Sequence, residues 1–222
     1  MARPQRFLAL VELADGEQTL AYCANPGSFH GCLDAGSRCL LWDSGNTTRK
    51  RRYTLGAIRV GKTWVGTDTH LANRLIHLAL MQNLFSQFAV YSVTAREPRS
   101  SSRRRLDFKL DVGDRQCFVE VKSVAVANGA IARFPDSVSP RASCHLAELK
   151  KLARAGHRAA MIFLIQRGDV HCIEINKHAD LAFARAANSA AEVGVEFLAY
   201  KHTLSVRGFG FPVEVPVIFR AN

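Results

Sequence analysis

The stretch Arg105-Leu106-Asp107-Phe108-Lys109-Leu110-Asp111-Val112-Gly113-Asp114-Arg115-Gln116-Cys117-Phe118-Val119-Glu120-Val121-Lys122 decides the fold. It reads as two strands joined by a tight turn. Leu106, Phe108, Leu110 and Val112 alternate onto one face of the first strand, and Val119 and Val121 onto one face of the second. Asp107, Glu120 and Lys122 are left on the opposite, charged face. Gly113-Asp114 suits a two-residue turn with glycine first, and that turn sets the register so that Asp107 lies opposite Glu120. Directly opposed side chains have Cβ atoms roughly 4.5–5.5 Å apart, where two like charges destabilise the pair. A hard divalent cation such as Mg²⁺, bound through carboxylate oxygens and its own waters, would offset that repulsion. The plainer alternative is a solvated Glu-x-Lys cross-pair on the wet face of an amphipathic strand.

The arrangement Asp107…Glu120-x-Lys122 resembles the core of the PD-(D/E)xK nuclease superfamily. The resemblance implies that Asp107 and Glu120 are the metal ligands and that Lys122 orients or activates the attacking water. As a bare pattern it is weak, so its context matters.

Thirty Lys and Arg stand against nineteen Asp and Glu, a formal net charge of +11, which favours a polyanionic partner such as nucleic acid or a membrane surface. No uncharged apolar run reaches the length of a spanning helix, and the sequence suggests neither a membrane segment nor a signal peptide. The expected compartment is the cytoplasm, with no membrane partner. The six cysteines form no Cys-x-x-Cys pair and take no zinc spacing with histidine, so they read as reduced, small core residues.

Residues 1–68 read as short strands separated by turns, five of them in about sixty residues, as in a small β-barrel. An OB-like barrel closes a five-stranded sheet at this length and commonly binds oligonucleotides, although an SH3-like barrel would look much the same. Between two of the strands runs Arg49-Lys50-Arg51-Arg52, either a solvated loop or a set of phosphate contacts. Trp42, Tyr53 and Trp64 are assigned to the barrel core in preference to base stacking.

Residues 69–222 alternate α and β. A helix is predicted from Leu71, Leu75, Leu78, Ala79, Phe85 and Phe88, followed by a short strand over Val90–Val93. The basic run from Arg96 to Arg105 includes Arg99, Arg103, Arg104 and Arg105, placed to hold a nucleic-acid strand if Asp107 belongs to a nuclease-like site. After Lys122 comes a turn region and then a helix with Ser139 and Pro140 at its N-terminus and Gly156 past its end. Ala159–Ile165 is a near-continuous apolar run, as in a strand buried on both faces. A helix over Asp180–Val193 and strands over Val195–Tyr200 and Val213–Phe219 complete the chain. Helix, strand, Asp strand, Glu-x-Lys strand, helix, strand is the element order of the nuclease core. The fold class is therefore a two-domain α/β (α+β) chain, an OB-like barrel followed by a restriction-endonuclease-like mixed sheet flanked by helices.

With these elements placed, the chain resembles the sugar fermentation stimulation protein A (SfsA) family nearly end to end. The matching blocks are Arg6-Phe7-Leu8, Asn25-Pro26-Gly27, Arg49-Lys50, Asn73-Arg74-Leu75, Arg105-Leu106-Asp107-Phe108, Glu120-Val121-Lys122-Ser123-Val124, Phe134-Pro135-Asp136, Arg141, His145-Leu146, Glu148-Leu149 and Gly194-Val195-Glu196. The resemblance implies an OB-like domain, a PD-(D/E)xK domain and non-specific DNA binding, with a regulatory role in sugar metabolism for some members. It also implies a glutamate in the first helix of the second domain, where this chain has Leu78. Glu97 is the candidate to replace it. Arg99-Ser100, Pro140 and Cys144 are further departures, while Asp107, Glu120 and Lys122 are all retained.

His145, on the helix after the Glu-x-Lys strand, either faces the cleft and touches phosphate or is satisfied within the domain. Arg141 lies one turn earlier on the same side and is expected at phosphate. The partner expected is DNA, held mainly through its backbone, with Mg²⁺ as cofactor if the site is active; a homodimer is left open. The expected function is a DNA-binding protein with a nuclease-like cleft, and the alternative is a Mg²⁺-dependent endonuclease.

Overall fold

The computed structural model describes residues 2–5, 7–25, 27–46, 48–98 and 105–219. Six strands form the first sheet: β1 (Ala2–Gln5), β2 (Leu8–Glu12), β3 (Gln18–Tyr22), β4 (Cys39–Asp43), β5 (Tyr53–Val60) and β6 (Thr63–Gly66). Five of them lie where alternation and turns predict strands. The sixth, β1, carries no apolar alternation in its sequence and is held by antiparallel pairing to β2. β5 is the longest and pairs with β3, β4 and β6, so it ties the sheet together. Val11, Ala21, Phe29, Leu55, Ile58 and Val65 fill the interior.

The chain continues through α1 (Thr69–Met81), a 3₁₀ turn (Ser86–Phe88), β7 (Ser92–Arg96), β8 (Phe108–Val112), β9 (Arg115–Val124), β10 (Ala127–Asn128) and β11 (Ile131–Phe134). It ends with α2 (Pro140–Arg154), β12 (Arg158–Ile165), β13 (Cys172–Ile175), α3 (Leu181–Ala191), β14 (Glu196–Lys201), β15 (Leu204–Ser205), β16 (Gly208–Phe209), β17 (Val213–Val215) and β18 (Val217–Ile218). The main sheet has the order β17-β14-β12-β9-β8-β7 and is mixed. β7, β8 and β9 form an antiparallel meander, whereas β9, β12 and β14 run parallel, with α2 and α3 in the crossovers. The hairpin β10–β11, read only as a turn region in the sequence, opens a second sheet of order β10-β11-β13-β18.

β12 explains why its sequence does not alternate. Ala160, Ile162 and Leu164 pack on the α1 side, while Ala159, Met161, Phe163 and Ile165 pack on the α2 and α3 side, and all seven are fully buried. α2 starts as expected, with the Ser139 side chain accepting from the Ala142 N–H and Pro140 in the first turn. α1 is rotated relative to its predicted face. Its buried stripe is Leu71, Ala72, Ile76, Ala79 and Leu80, and Leu78 is 53% exposed. Phe85 and Phe88 are buried but lie beyond the helix.

The two parts meet along a seam. The Gly66 N–H donates to the Gln166 carbonyl at 2.8 Å and the Ser28 N–H to Asp136 Oδ2 at 2.8 Å. A Cβ on Gly27 would stand 2.4 Å from that same carboxylate oxygen, so the loop through Asn25 and Gly27 sits directly on Asp136. None of the six cysteines forms a disulfide. No helix among the described residues is long and apolar enough to cross a membrane.

Candidate functional site at the domain cleft

The β8–β9 hairpin has the register read from its turn. Phe108 pairs with Val119 and Val112 with Arg115, and Gly113 takes φ 54° in the turn, a value that favours glycine. Asp107 stands just before the strand, its N–H donating to the Val119 carbonyl at 3.1 Å. The alternation breaks there, because Phe108 and Leu110 join the core under α1 while Leu106 joins the core under α2. The Asp107 carboxylate is held on both oxygens. Oδ2 accepts from the Val121 N–H at 2.7 Å, and Oδ1 accepts from Asn73 Nδ2 of α1 at 2.5 Å. Burial, followed by the neighbouring charge of Glu120, pushes this carboxyl up to about 6, against the opposing pull of the Val121 N–H, Lys122 and Asn73.

Glu120 differs from its predicted place on a wet face. β9 lies between β8 and β12, with α2 covering that side, and the Glu120 side chain is only 3% exposed. Its Oε1 accepts from Lys122 Nζ at 2.5 Å and contacts His145 Nδ1 from α2. A carboxylate only accepts, so Nδ1 carries the proton in that contact. Burial acts to raise the Glu120 pKa, but the His145 hydrogen bond and the Lys122 ammonium outweigh it and hold the carboxyl below its ordinary range. The second oxygen, Oε2, is buried with no hydrogen-bond partner.

His145 takes the second of its two expected places, satisfied within the domain. It is 7% exposed and turned inward, with Nδ1 3.0 Å from Lys122 Nζ as well as against Glu120. Its Nδ1 edge is thus occupied by the buried pair.

These groups open onto a cavity of 1280 Å³ between the barrel and the second domain. Asp107, Glu120 and Lys122 line it, together with Asn73, Arg49 from the barrel and Arg141 from α2. Of the run Arg49-Lys50-Arg51-Arg52, only Arg49 reaches the cavity. Lys50 is exposed and Arg51 half-buried. Arg52 makes a two-pronged contact with Asp43, Nε to Oδ1 at 3.0 Å and Nη2 to Oδ2 at 2.6 Å. Arg105 pairs with Glu97 at 3.2 Å, while Arg99, Arg103 and Arg104 lie outside the described residues. Glu97 lines the cavity but does not complete a ligand set with Asp107 and Glu120. No group of three or more His, Cys, Asp or Glu among the described residues is arranged to hold a metal ion. Arg74, Arg96 and Arg133 also line the cavity, Arg96 being the first residue of the basic run. The block Asn73-Arg74 marked the first of these, but nothing in the sequence marked Arg133.

Residues 70–208 match the sugar fermentation stimulation protein RE domain, and residues 1–67 match the SfsA N-terminal OB domain. The chain belongs to the sugar fermentation stimulation protein family. A sugar fermentation stimulation protein homolog from Thioalkalivibrio sulfidiphilus is 39% identical over 90% of this chain and 85% of its own. One from Geotalea daltonii is 36% identical over 97% of this chain and 94% of its own. Among solved structures, SfsA of Pyrococcus furiosus, described as a complex with Ca²⁺, superposes with a TM-score of 0.90 at 27% identity, covering 98% of this chain and 93% of that one. The two-domain architecture, an OB domain followed by mixed sheets with few helices, is thus that of the family.

Proposed function

We propose that this chain is a DNA-binding protein of the SfsA type that holds the phosphate backbone in the cleft between its two domains. The observation that carries the reading is the cleft itself. It places Arg49 on the barrel wall and Arg141 on the α2 wall, on a protein of formal charge +11. Contacts of this kind go to phosphate, so affinity falls steeply with salt and depends little on sequence.

A second reading, metal-dependent phosphodiester hydrolysis at a PD-(D/E)xK-like site, is favoured by a specific observation. Glu120 Oε2 is a buried, unpartnered carboxylate oxygen on the strand opposite Asp107, and a buried acceptor of this kind is matched by a cation. Asp107 and Glu120 are the pair that would hold Mg²⁺, and the Ca²⁺ of the Pyrococcus furiosus complex agrees with a hard-cation site in a relative. When bound, such an ion supplies Lewis-acid charge at a phosphoryl oxygen and a water of lowered pKa. The chain's own contribution is positioning. Asn73 and the Val121 N–H aim the Asp107 carboxylate. Glu120, itself held by His145, fixes the Lys122 ammonium at the cleft wall, where it can donate to a phosphate oxygen or the attacking water.

The test is a salt titration of binding to labelled single-stranded, duplex and branched DNA, run beside cleavage assays with Mg²⁺ and Mn²⁺ on the chain and on Lys122→Ala. Binding that weakens steeply with salt supports the first reading, and no binding at low salt overturns it. Cleavage abolished in Lys122→Ala supports the second reading, and intact DNA under both metals overturns it.

A further inference from the structure

Trp42 does not occupy the place its sequence suggests. A tryptophan at the end of an apolar strand of a small barrel belongs in the core, yet Trp42 is 37% exposed and lines the domain cavity. The cause is local. A bulge between Leu40 and Leu41 makes β4 pair with Leu55 and Ala57 of β5 and skip Gly56. A Cβ at Gly56 would stand 2.2 Å from the indole, so the ring rests against bare backbone there.

A second ring meets it from the other domain. Phe209, in the β15–β16 hairpin, is 39% exposed and lines the same cavity, its centroid 6.2 Å from that of Trp42 at an interplanar angle of 52°. The hairpin is anchored: Leu204 is buried, the Gly210 N–H donates to the Thr203 carbonyl at 2.8 Å, and the buried His202 ring lies 5.8 Å from Phe209. Two large apolar rings thus stay half-open to a cavity that is also lined by Arg49 and contains Asp107 and Glu120.

We propose that Trp42 and Phe209 form a platform on which an unpaired nucleobase stacks, so that the cleft takes single-stranded nucleic acid in preference to duplex. Every base has a π face, which makes aromatic stacking tolerant of sequence, and a groove that pairs rings with cations follows a single strand. In a duplex those faces are already stacked and are closed to the platform. The basic lining selects a polyanion over an apolar peptide as the occupant. The inference rests on DNA binding in the cleft and adds the strandedness of the ligand.

The test uses the full chain in EDTA, with labelled oligo-dT and a duplex of equal length titrated in parallel. Trp42→Ala should weaken oligo-dT binding by about ten- to a hundredfold, the range for loss of one stacked base. Duplex binding should change by less than about twofold, and the salt slope should be unchanged because no phosphate contact is lost. Trp42→Phe should keep most of the affinity. Gly56→Ala should reproduce the loss with Trp42 still present, because its methyl occupies the seat of the indole. In a Trp64→Phe background, where Trp42 is the sole remaining tryptophan, oligo-dT should quench the emission. Oligo-dT binding unchanged in Trp42→Ala, equal losses for both ligands, or no quenching each overturns the platform while leaving DNA binding in the cleft standing. Failure of the unaltered chain to bind either DNA overturns that binding, and the platform with it.

Discussion

Asp107 is held in place at some cost to the fold. An unfolded aspartate titrates near pH 3.9, whereas the folded carboxyl is pushed up to about 6 by burial and then by Glu120. Between those values the folded chain binds the proton more tightly than the unfolded one. The stabilisation is fully present below about pH 4 and is lost as pH rises through about 6. Asp107→Asn imitates the neutral form and should keep that stabilisation at pH 7.5, on the order of 1–2 kcal/mol, raising Tm by several degrees. Thermal melts in EDTA from pH 4 to 8 check this, with the two curves converging towards pH 4. A lower Tm for the variant at pH 7.5 would mean that Asn73, the Val121 N–H and Lys122 already outweigh burial. The opposition of Asp107 and Glu120 was legible in the sequence because a two-residue turn fixes its register. The burial of Glu120 was not, because its cover includes His145, 25 residues away, and no periodicity within β9 reports a helix laid over it.

Local signals marked the elements well where the partner groups are also local. Ser139-Pro140 begins α2 as expected, yet the structure adds a link that sequence could not show. Asp180 caps α3 by accepting from the Phe183 N–H at 2.9 Å, and its other oxygen accepts from the Ser139 N–H at 2.8 Å. One buried carboxylate therefore brackets the starts of both helices that cover β9 and β12. Asp180→Ala should cost about 2 kcal/mol in urea unfolding, at the upper end for a lost cap, because a second N–H loses its partner as well. Ser139→Ala should cost about 1 kcal/mol or less, since its own cap bond is long at 3.4 Å. Equal losses in the two variants would show that Asp180 does not link the two helix starts. α1 shows the limit of periodicity. Leu78 matched a helical stripe as well as Ile76 and Leu80 did, and only packing against Leu110, Val119 and Ile162 selects the latter two, with Leu75 at the edge of that cluster.

At the scale of the molecule, the basic charge was legible but its sorting was not. The four-residue run Arg49-Lys50-Arg51-Arg52 looks uniform in sequence, whereas in the fold Arg52 is committed to Asp43 and only Arg49 turns to the cavity, where it faces a domain that begins some twenty residues later. That sorting depends on the seam between the domains, which joins residues 108 positions apart at Ser28 and Asp136. Arg49 and Arg141 line the cavity from different domains, so a strand that occupies the whole cleft must pass both. Arg49→Ala and Arg141→Ala should each reduce the slope of log affinity against log salt by about 1, weakening all DNA sequences alike, and the double variant should lose about 2. Arg52→Ala is the contrast. Its guanidinium is already matched by Asp43, so the slope should barely change even though the same formal charge is removed. Equal effects of Arg52→Ala and Arg49→Ala would show that DNA responds to the diffuse charge of the surface, and a cleft built from two domains would then not be where the backbone lies.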